Sequence, residues 1–290
     1  MSQLPSLLIA GCGDVGSRLG VRMAAQGWQV YGLRRDCTGL PATIQPLPGD
    51  LSSVTPPAAW PQQQLDYLVF AAAPGGQGEA GYRQVYVEGL RHLLGWLERG
   101  GQRPRRLLFV SSTGVYAQQA GEWVDEESPA EAQSFSGRVL LEAERLAGEC
   151  GLASTVVRLA GLYGPGRNWL LGQVAEGCQV PAQPVLYGNR IHVDDAAGLL
   201  GCLLEADWRG VPLQSCYLGV DDAPAALAEV VQWLREQLGV SAVAGAGLIG
   251  RRGGSKRCSN ARARALGWVP QYPSYREGYA ALLAQRGLTR

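Results

Sequence analysis

The feature that most restricts how this chain folds is the hexapeptide Gly11-Cys12-Gly13-Asp14-Val15-Gly16, set between an apolar run, Leu7–Ala10, and a helical stretch, Val15–Gln26. Three glycines at this spacing, after a buried strand and at the mouth of a helix, have separate physical tasks. Gly11 permits a tight turn, Gly13 lets the backbone approach an anion, and Gly16 lets the helix pack closely on the strand. The first amides of the helix then face a pyrophosphate, which the peptide dipoles favour. The segment also reads as an ordinary strand-to-helix turn. Its position at the first junction of a βαβαβ progression selects the reading of a nicotinamide dinucleotide site built on Gly11, Gly13, Asp14, Val15 and Gly16.

That progression is carried by short apolar runs alternating with helical stretches. Strands are expected at Leu7–Ala10, Gln29–Leu33, Leu65–Ala72, Arg106–Ser111 and Ser154–Leu159, with helices at Val15–Gln26, Tyr82–Arg99 and Ser136–Glu149. This is the pattern of an α/β, Rossmann doubly wound parallel sheet. After Gly164-Pro165-Gly166 the regularity weakens to a strand at Val211–Gly219, a helix at Ala223–Leu238 and a Gly-rich, basic tail. We expect a dinucleotide-binding domain over residues 1–165 and a smaller C-terminal substrate lobe over 166–290, with residues 190–220 or so returning to the first domain.

The residue closing the second strand sets cofactor choice: a carboxylate there binds the ribose 2′-hydroxyl of NAD, an arginine the 2′-phosphate of NADP. Tyr31-Gly32-Leu33-Arg34-Arg35 places two guanidiniums at that point, each able to fork onto phosphate oxygens, and NADP is favoured over NAD. Asp50 would accept from the adenine amino group or simply form a turn. The small residues Ala71, Ala72 and Ala73 would let backbone lie against the cofactor or merely pack.

A formal net charge of +1 gives no global field to draw nucleic acid, so none is expected as a partner. The seven dispersed cysteines form no CxxC and only two histidines accompany them, so no metal site is expected. Thiols within apolar runs fit a reducing compartment. Without a basic leader segment or long apolar run, the chain is expected to be cytoplasmic and away from membranes.

Several separated segments together resemble the extended short-chain dehydrogenase/reductases, the nucleotide-sugar epimerase and dehydratase family. They are the glycine loop, Val110-Ser111-Ser112-Thr113-Gly114-Val115-Tyr116, Val157-Arg158-Leu159 with Leu162-Tyr163-Gly164-Pro165-Gly166-Arg167, Arg190-Ile191-His192-Val193-Asp194-Asp195, and Leu266-Gly267-Trp268-Val269-Pro270. The resemblance implies a cofactor domain with a smaller substrate lobe, a small-molecule substrate such as a sugar nucleotide, and a possible homodimer. It implies Ser112 as the family's serine and Thr113, Tyr116, Tyr163, Arg167, Arg190 and His192 as substrate residues.

Family members that do redox chemistry pair that serine with a tyrosine and, four residues on, a lysine. The hydroxyl holds the substrate oxygen, the phenol passes its proton, and the lysine depresses the phenol pKa. Aligning Glu144 with the family's glutamate puts Ser136 at the tyrosine position and Leu140 at the lysine position, and the sequence holds a single lysine, Lys256. Three readings follow. Ser112, Ser136 and Arg138 form a rearranged catalytic set, Arg138 holding a phosphate or carboxylate while Tyr116, Tyr163 or Asp125 supplies the proton. Alternatively the site binds dinucleotide without turnover, as a redox sensor or regulator. The third is an atypical subgroup whose reaction the sequence does not name.

Other features carry a plainer reading beside the functional one. Asp194-Asp195 caps a helix by its charge, with His192 either in the cleft or in the core. Asp125 belongs to an acidic surface loop or is a stray general acid. The stretch Arg251–Arg257, with Asn260 and Arg262, clamps a phosphate-bearing substrate or is an exposed basic loop.

Overall fold

The computed structural model describes residues 4–75, 78–181, 183–249 and 254–285. The apolar runs become strands because a parallel strand covered on both faces can hold an unbroken row of large side chains; Leu7, Leu8, Ile9 and Ala10 are each fully buried. In chain order the elements are β1 (Ser6–Ala10), α1 (Asp14–Ala25), β2 (Gln29–Arg34), β3 (Gln45–Pro48), β4 (Tyr67–Phe70), α2 (Glu79–Arg83), a π-helical turn (Gln84–Glu88) and α3 (Gly89–Arg99). Next are β5 (Arg106–Ser112), a 3-10 turn (Thr113–Val115), β6 (Glu122–Val124), α4 (Phe135–Glu149), β7 (Ala153–Leu159), β8 (Gly161–Tyr163), α5 (Trp169–Ala175) and β9 (Tyr187–Gly188). The chain continues through β10 (Arg190–His192), α6 (Val193–Trp208), β11 (Cys216–Gly219), β12 (Ala225–Ala226), α7 (Leu227–Leu238), β13 (Lys256–Cys258), α8 (Ala261–Ala265) and α9 (Tyr275–Gln285).

Seven strands form one parallel sheet in the order β11-β7-β5-β4-β1-β2-β3. The winding reverses between β1 and β4, and in a doubly wound sheet that crevice, at the carboxyl ends of the strands, is where a ligand lies. Helix α6 packs on α1 and β11 joins β7, so residues 193–219 build on the sheet. A second apolar cluster includes Leu171 and Val174 of α5, Val230, Val231 and Leu234 of α7, and Tyr279, Leu282 and Leu283 of α9. The short parallel pair β6–β13 brings the C-terminal segment against the loop that follows β5. Among the described residues no helix is long and apolar enough to cross a membrane.

Several boundaries differ from the expectation. Edge strand β3 reads Gln-Pro-Leu-Pro; only Leu47 is buried and both prolines sit where no ladder donor is needed, so the usual strand pattern is absent. The strand expected at Leu65–Ala72 contracts to β4, that at Val211–Gly219 to β11, and the helix expected from Ala223 starts at Leu227. The helix expected over Tyr82–Arg99 begins at Glu79 and is interrupted by the π-helical turn.

Near the end of α6, Asp207 is 5% exposed and accepts from Tyr67 Oη at 2.8 Å, Arg106 Nε at 2.7 Å and Arg105 Nε at 3.0 Å. It joins the last helix turn to the first residues of β4 and β5. Asp207→Ala would leave the Arg106 guanidinium and Tyr67 hydroxyl without their acceptor, an expected loss of about 3–5 kcal/mol. Urea unfolding checks this, and an unchanged midpoint would sink the assignment.

Candidate functional site

A cavity of about 1080 Å3 runs along the carboxyl ends of the strands across the β1–β4 crevice. Its floor is the glycine loop. Gly11 has φ 81°, a left-handed conformation suited to glycine, and a Cβ there would overlap the backbone of Ala72. The amides of Gly11 and Cys12 both donate to the Leu33 carbonyl, at 2.9 and 3.0 Å, which fixes the loop against the end of β2. A Cβ at Gly16 would stand 3.0 Å from Ile9 Cγ2 and 3.2 Å from the Gly11 carbonyl oxygen, so this glycine allows the close helix packing. Gly13 is the N-cap of α1 and offers no side-chain acceptor, which leaves the helix N-terminus available to an anion. A cradle of this shape fits a pyrophosphate.

All eleven residues expected to touch the cofactor line this cavity: the five of the loop, Arg34 and Arg35 at the end of β2, Asp50, and Ala71, Ala72 and Ala73 after β4. Arg34 is half-buried and donates to the Cys12 carbonyl at 3.3 Å, while Arg35 is exposed. Asp50 also accepts the Ser52 amide at 2.9 Å, the turn role. Asp14 pairs with Arg18 at 2.8 Å and Arg167 at 2.9 Å. Burial pushes its carboxyl up, but the two guanidiniums outweigh this and hold it below the usual range. Arg167, expected to meet substrate, thus stands beside the glycine loop and lines the same cavity.

The far end of the cavity is walled by Tyr86, Val110, Ser111, Ser112, Leu159, Ala160 and Leu162. Ser112 Oγ caps the 3-10 turn by accepting the Gly114 amide at 3.0 Å. Behind it lies a buried polar chain. Ser111 Oγ donates to Glu144 Oε1 at 2.5 Å, and Arg158 grips both Glu144 oxygens at 3.1 and 2.7 Å. Arg158 Nη1 also reaches Tyr116 Oη at 2.8 Å, and that hydroxyl donates to the Asp125 carbonyl at 2.7 Å.

Other expected site residues are held away from the cavity. Arg138 is exposed and donates to the Gln133 carbonyl at 2.6 Å, because position 138 falls on the outer face of α4. Ser136 shares a hydrogen bond with Ser134 at 3.1 Å, and Leu140 is 4% exposed within the core. Thr113, Tyr116 and Tyr163 are buried, and burial pushes both phenols well above their ordinary pKa. The Asp125 carboxylate accepts from Glu127 and Ser128 in a surface turn. None of these residues is among those that line the cavity.

His192, not the acidic pair, is the N-cap of α6. Burial depresses its pKa, and the neutral ring accepts the Asp194 amide at 3.3 Å. Asp194 pairs with Arg18 at 2.5 Å, and Asp195 accepts the Gln271 and Tyr272 amides at 2.6 and 2.9 Å. Of the basic stretch, Arg251, Arg252 and Gly253 lie outside the described residues. Ser255 bonds the Val185 carbonyl and Tyr187 amide, buried Lys256 donates to the Tyr116 carbonyl at 3.1 Å, and Arg257 stacks over Trp123 and Tyr187. Asn260 bonds Asp222, and Arg262 pairs with Glu126 and Glu127. These side chains knit the C-terminal segment to its neighbours.

Two groups of interest are missing from the sequence reading, Tyr86 and Asp221. Tyr86 sits in the π-helical turn, which nothing in the helical periodicity announces. Asp221 follows β11, 1% exposed, with Oδ2 lacking a partner among the described residues. Arg190 is 6% exposed, its Nη1 likewise unpartnered and its guanidinium over the Tyr275 ring at 5.4 Å. Burial pushes the Asp221 carboxyl up to about 7 against the pull of Arg190.

Residues 7–212 match the profile of the NAD dependent epimerase/dehydratase family. The chain is 31% identical to the protein YeeZ of Escherichia coli over 214 residues, 70% of this chain and 74% of that one. It is 28% identical to a 3-diazoavenalumate denitrifying reductase of a Streptomyces species, over 94% of this chain and 98% of that one. A structure attributed to an NAD-dependent epimerase/dehydratase of Methylobacillus flagellatus superposes with a TM-score of 0.83 at 38% identity, covering 98% of this chain and all of the other.

Asp221 makes a pH-dependent prediction. Its folded pKa stands above the ordinary carboxylate value, so its contribution is intact below about pH 4 and is lost as pH rises through 7. Asp221→Asn removes the buried carboxylate. Between pH 4 and 7.5 the unfolding free energy of the variant should gain of order 2–4 kcal/mol relative to the parent. A difference that stays constant with pH in urea titrations would contradict this.

Proposed function

The chain belongs to the NAD-dependent epimerase/dehydratase family, and on that premise we propose that it is a hydride-transfer enzyme with a non-standard active site, using NADP in preference to NAD. The observation that carries the reading is one continuous cavity joining the glycine loop, the Arg34–Arg35 pair and Ser112. The amides at the start of α1 would take the pyrophosphate, Arg34 and Arg35 the 2′-phosphate, and Ala71, Ala72 and Ala73 the flat backbone-facing side of the dinucleotide. Bound there, the nicotinamide supplies the hydride donor or acceptor. Ser112 keeps its own proton for a substrate oxygen, since its oxygen already accepts from Gly114. The substrate is a small polar molecule, a sugar nucleotide or a comparable compound. A relative named as a reductase supports the reductive member of this range. Residues 1–165 would form the cofactor domain and 166–290 the substrate lobe, with 190–220 or so returning to the first, in a cytoplasmic protein.

Ser136 and Leu140 favour a second reading, a dinucleotide-binding redox sensor, because neither residue can move a proton. Turnover separates the two.

Arg34→Asp should weaken NADP binding about 10–100-fold, the worth of charge-assisted bonds to phosphate, while leaving NAD binding unchanged or improved. Titration calorimetry with both dinucleotides checks this, and equal losses would remove the NADP preference. Ser112→Ala should lower turnover at least tenfold with cofactor affinity intact. Undiminished turnover would exclude Ser112 from the reaction.

A further inference from the structure

The cavity's far wall contains a phenol that the sequence pattern does not reveal. Tyr86 lies in the π-helical turn Gln84–Glu88, which interrupts an otherwise continuous α-helical path from Glu79 to Arg99. Such single-turn insertions shift the register of side chains and recur at functional sites. Here the shifted residue lines the same cavity as Ser111 and Ser112. Its ring is held by aromatic neighbours on two sides: Phe109 at 6.4 Å, edge-on, and Tyr82 at 5.7 Å, which in turn meets Phe135 at 5.4 Å. An aromatic wedge of this kind fixes the ring with little remaining rotamer freedom.

The hydroxyl of Tyr86 makes no hydrogen bond to any described residue. The other phenols named for this site are committed elsewhere. Tyr116 is bonded to Arg158 and to the Asp125 carbonyl, and Tyr163 is packed in the second apolar cluster, its hydroxyl 3.4 Å from the Ser274 carbonyl. A half-buried donor with no protein acceptor, in a wall otherwise made of apolar groups and two serines, is placed to meet a polar atom of a ligand.

We propose that Tyr86 donates a hydrogen bond to the carbonyl oxygen of an aldehyde or ketone substrate and gives up its proton when that carbonyl is reduced; the role rests on the hydride-transfer reading above. In the step, the carbonyl carbon gains a hydride from the reduced nicotinamide dinucleotide, which is oxidised. The π pair of the C=O bond moves to oxygen, and the Tyr86 O–H proton completes the alcohol. Water entering the open cavity returns a proton to the phenolate.

Burial pushes the phenol up to about 12, with Tyr82 adding to the shift, so the hydroxyl enters the step protonated. An alkoxide is a stronger base than a phenolate, so donation to the developing alkoxide is downhill.

The test uses 4-(dimethylamino)cinnamaldehyde, whose visible absorption moves to the red when its carbonyl oxygen accepts a strong hydrogen bond. The full chain saturated with NADP+ cannot reduce this aldehyde, so the spectrum reports binding alone. A red shift is expected with the parent chain and should vanish in Tyr86→Phe, which keeps the ring packing against Phe109 and Tyr82 and should bind NADP+ unchanged. No shift in the parent, or a shift that persists in Tyr86→Phe, overturns the proposal. With NADPH in place of NADP+, turnover of the aldehyde should fall about 100-fold in the variant. If the red shift is lost in Tyr86→Phe but the parent oxidises no NADPH, the hydrogen-bond role stands and the hydride-transfer reading fails.

Discussion

The carbonyl of Leu33, at the end of β2, accepts the amides of both Gly11 and Cys12, and the geometry of the glycine-loop cavity depends on that shared acceptor. It closes the turn after β1 and sets how far the start of α1 stands from Arg34. Arg34 returns a bond to the Cys12 carbonyl, so the anion cradle and the residue that would read the ribose are parts of one hydrogen-bonded unit. Gly11 must be glycine for this unit to form, because β4 delivers the Ala72 backbone to within overlap distance of any side chain there. The shape of the loop is therefore set jointly by its glycines and by the spacing of β2, β1 and β4 in the sheet.

The opposite end of the cavity rests on a different constraint. Glu144 and Arg158 are both nearly buried, and each charge is tolerated because the other neutralises it and further hydrogen bonds complete both groups. The pair joins α4 to β7, ties in β5 through Ser111, and through Tyr116 reaches the loop after the 3-10 turn. It holds Ser111 in place, and Ser112 follows next along β5. In family members with the tyrosine–lysine pair, α4 would also present those two groups. Here it contributes Glu144 to the support of the wall and leaves Leu140 to the core.

What the sequence reveals follows from range. Strands buried on both faces announce themselves as apolar runs, and the glycine loop is a local motif, so β1, β2, β5 and β7 were legible, as was the gathering of eleven named residues around one cavity. Edge strand β3, with two prolines, and the three-residue pair β6–β13 owe their existence to partners distant in sequence. Tyr86 could not be found because an aromatic within a helix reads as core, and the inserted residue of a π-helical turn leaves no mark in composition. The buried charges of Arg190 and Asp221 depend on how three segments meet. His192 was legible as a residue near the helix start but not as its cap, since imidazole accepts an amide only in its neutral form, which burial here favours.

Leu140 has a consequence for what this chain can become. It is enclosed by the central core, where an ammonium group would lose its hydration, and the carboxylate one helical turn on, Glu144, is already paired with Arg158. Serine to tyrosine at 136 and leucine to lysine at 140 would restore the family's two letters without restoring their environment. A lysine at 140 would thus begin from a buried, apolar position. At this point of the fold α4 answers to packing through Leu140 and to the support of the cavity wall through Glu144.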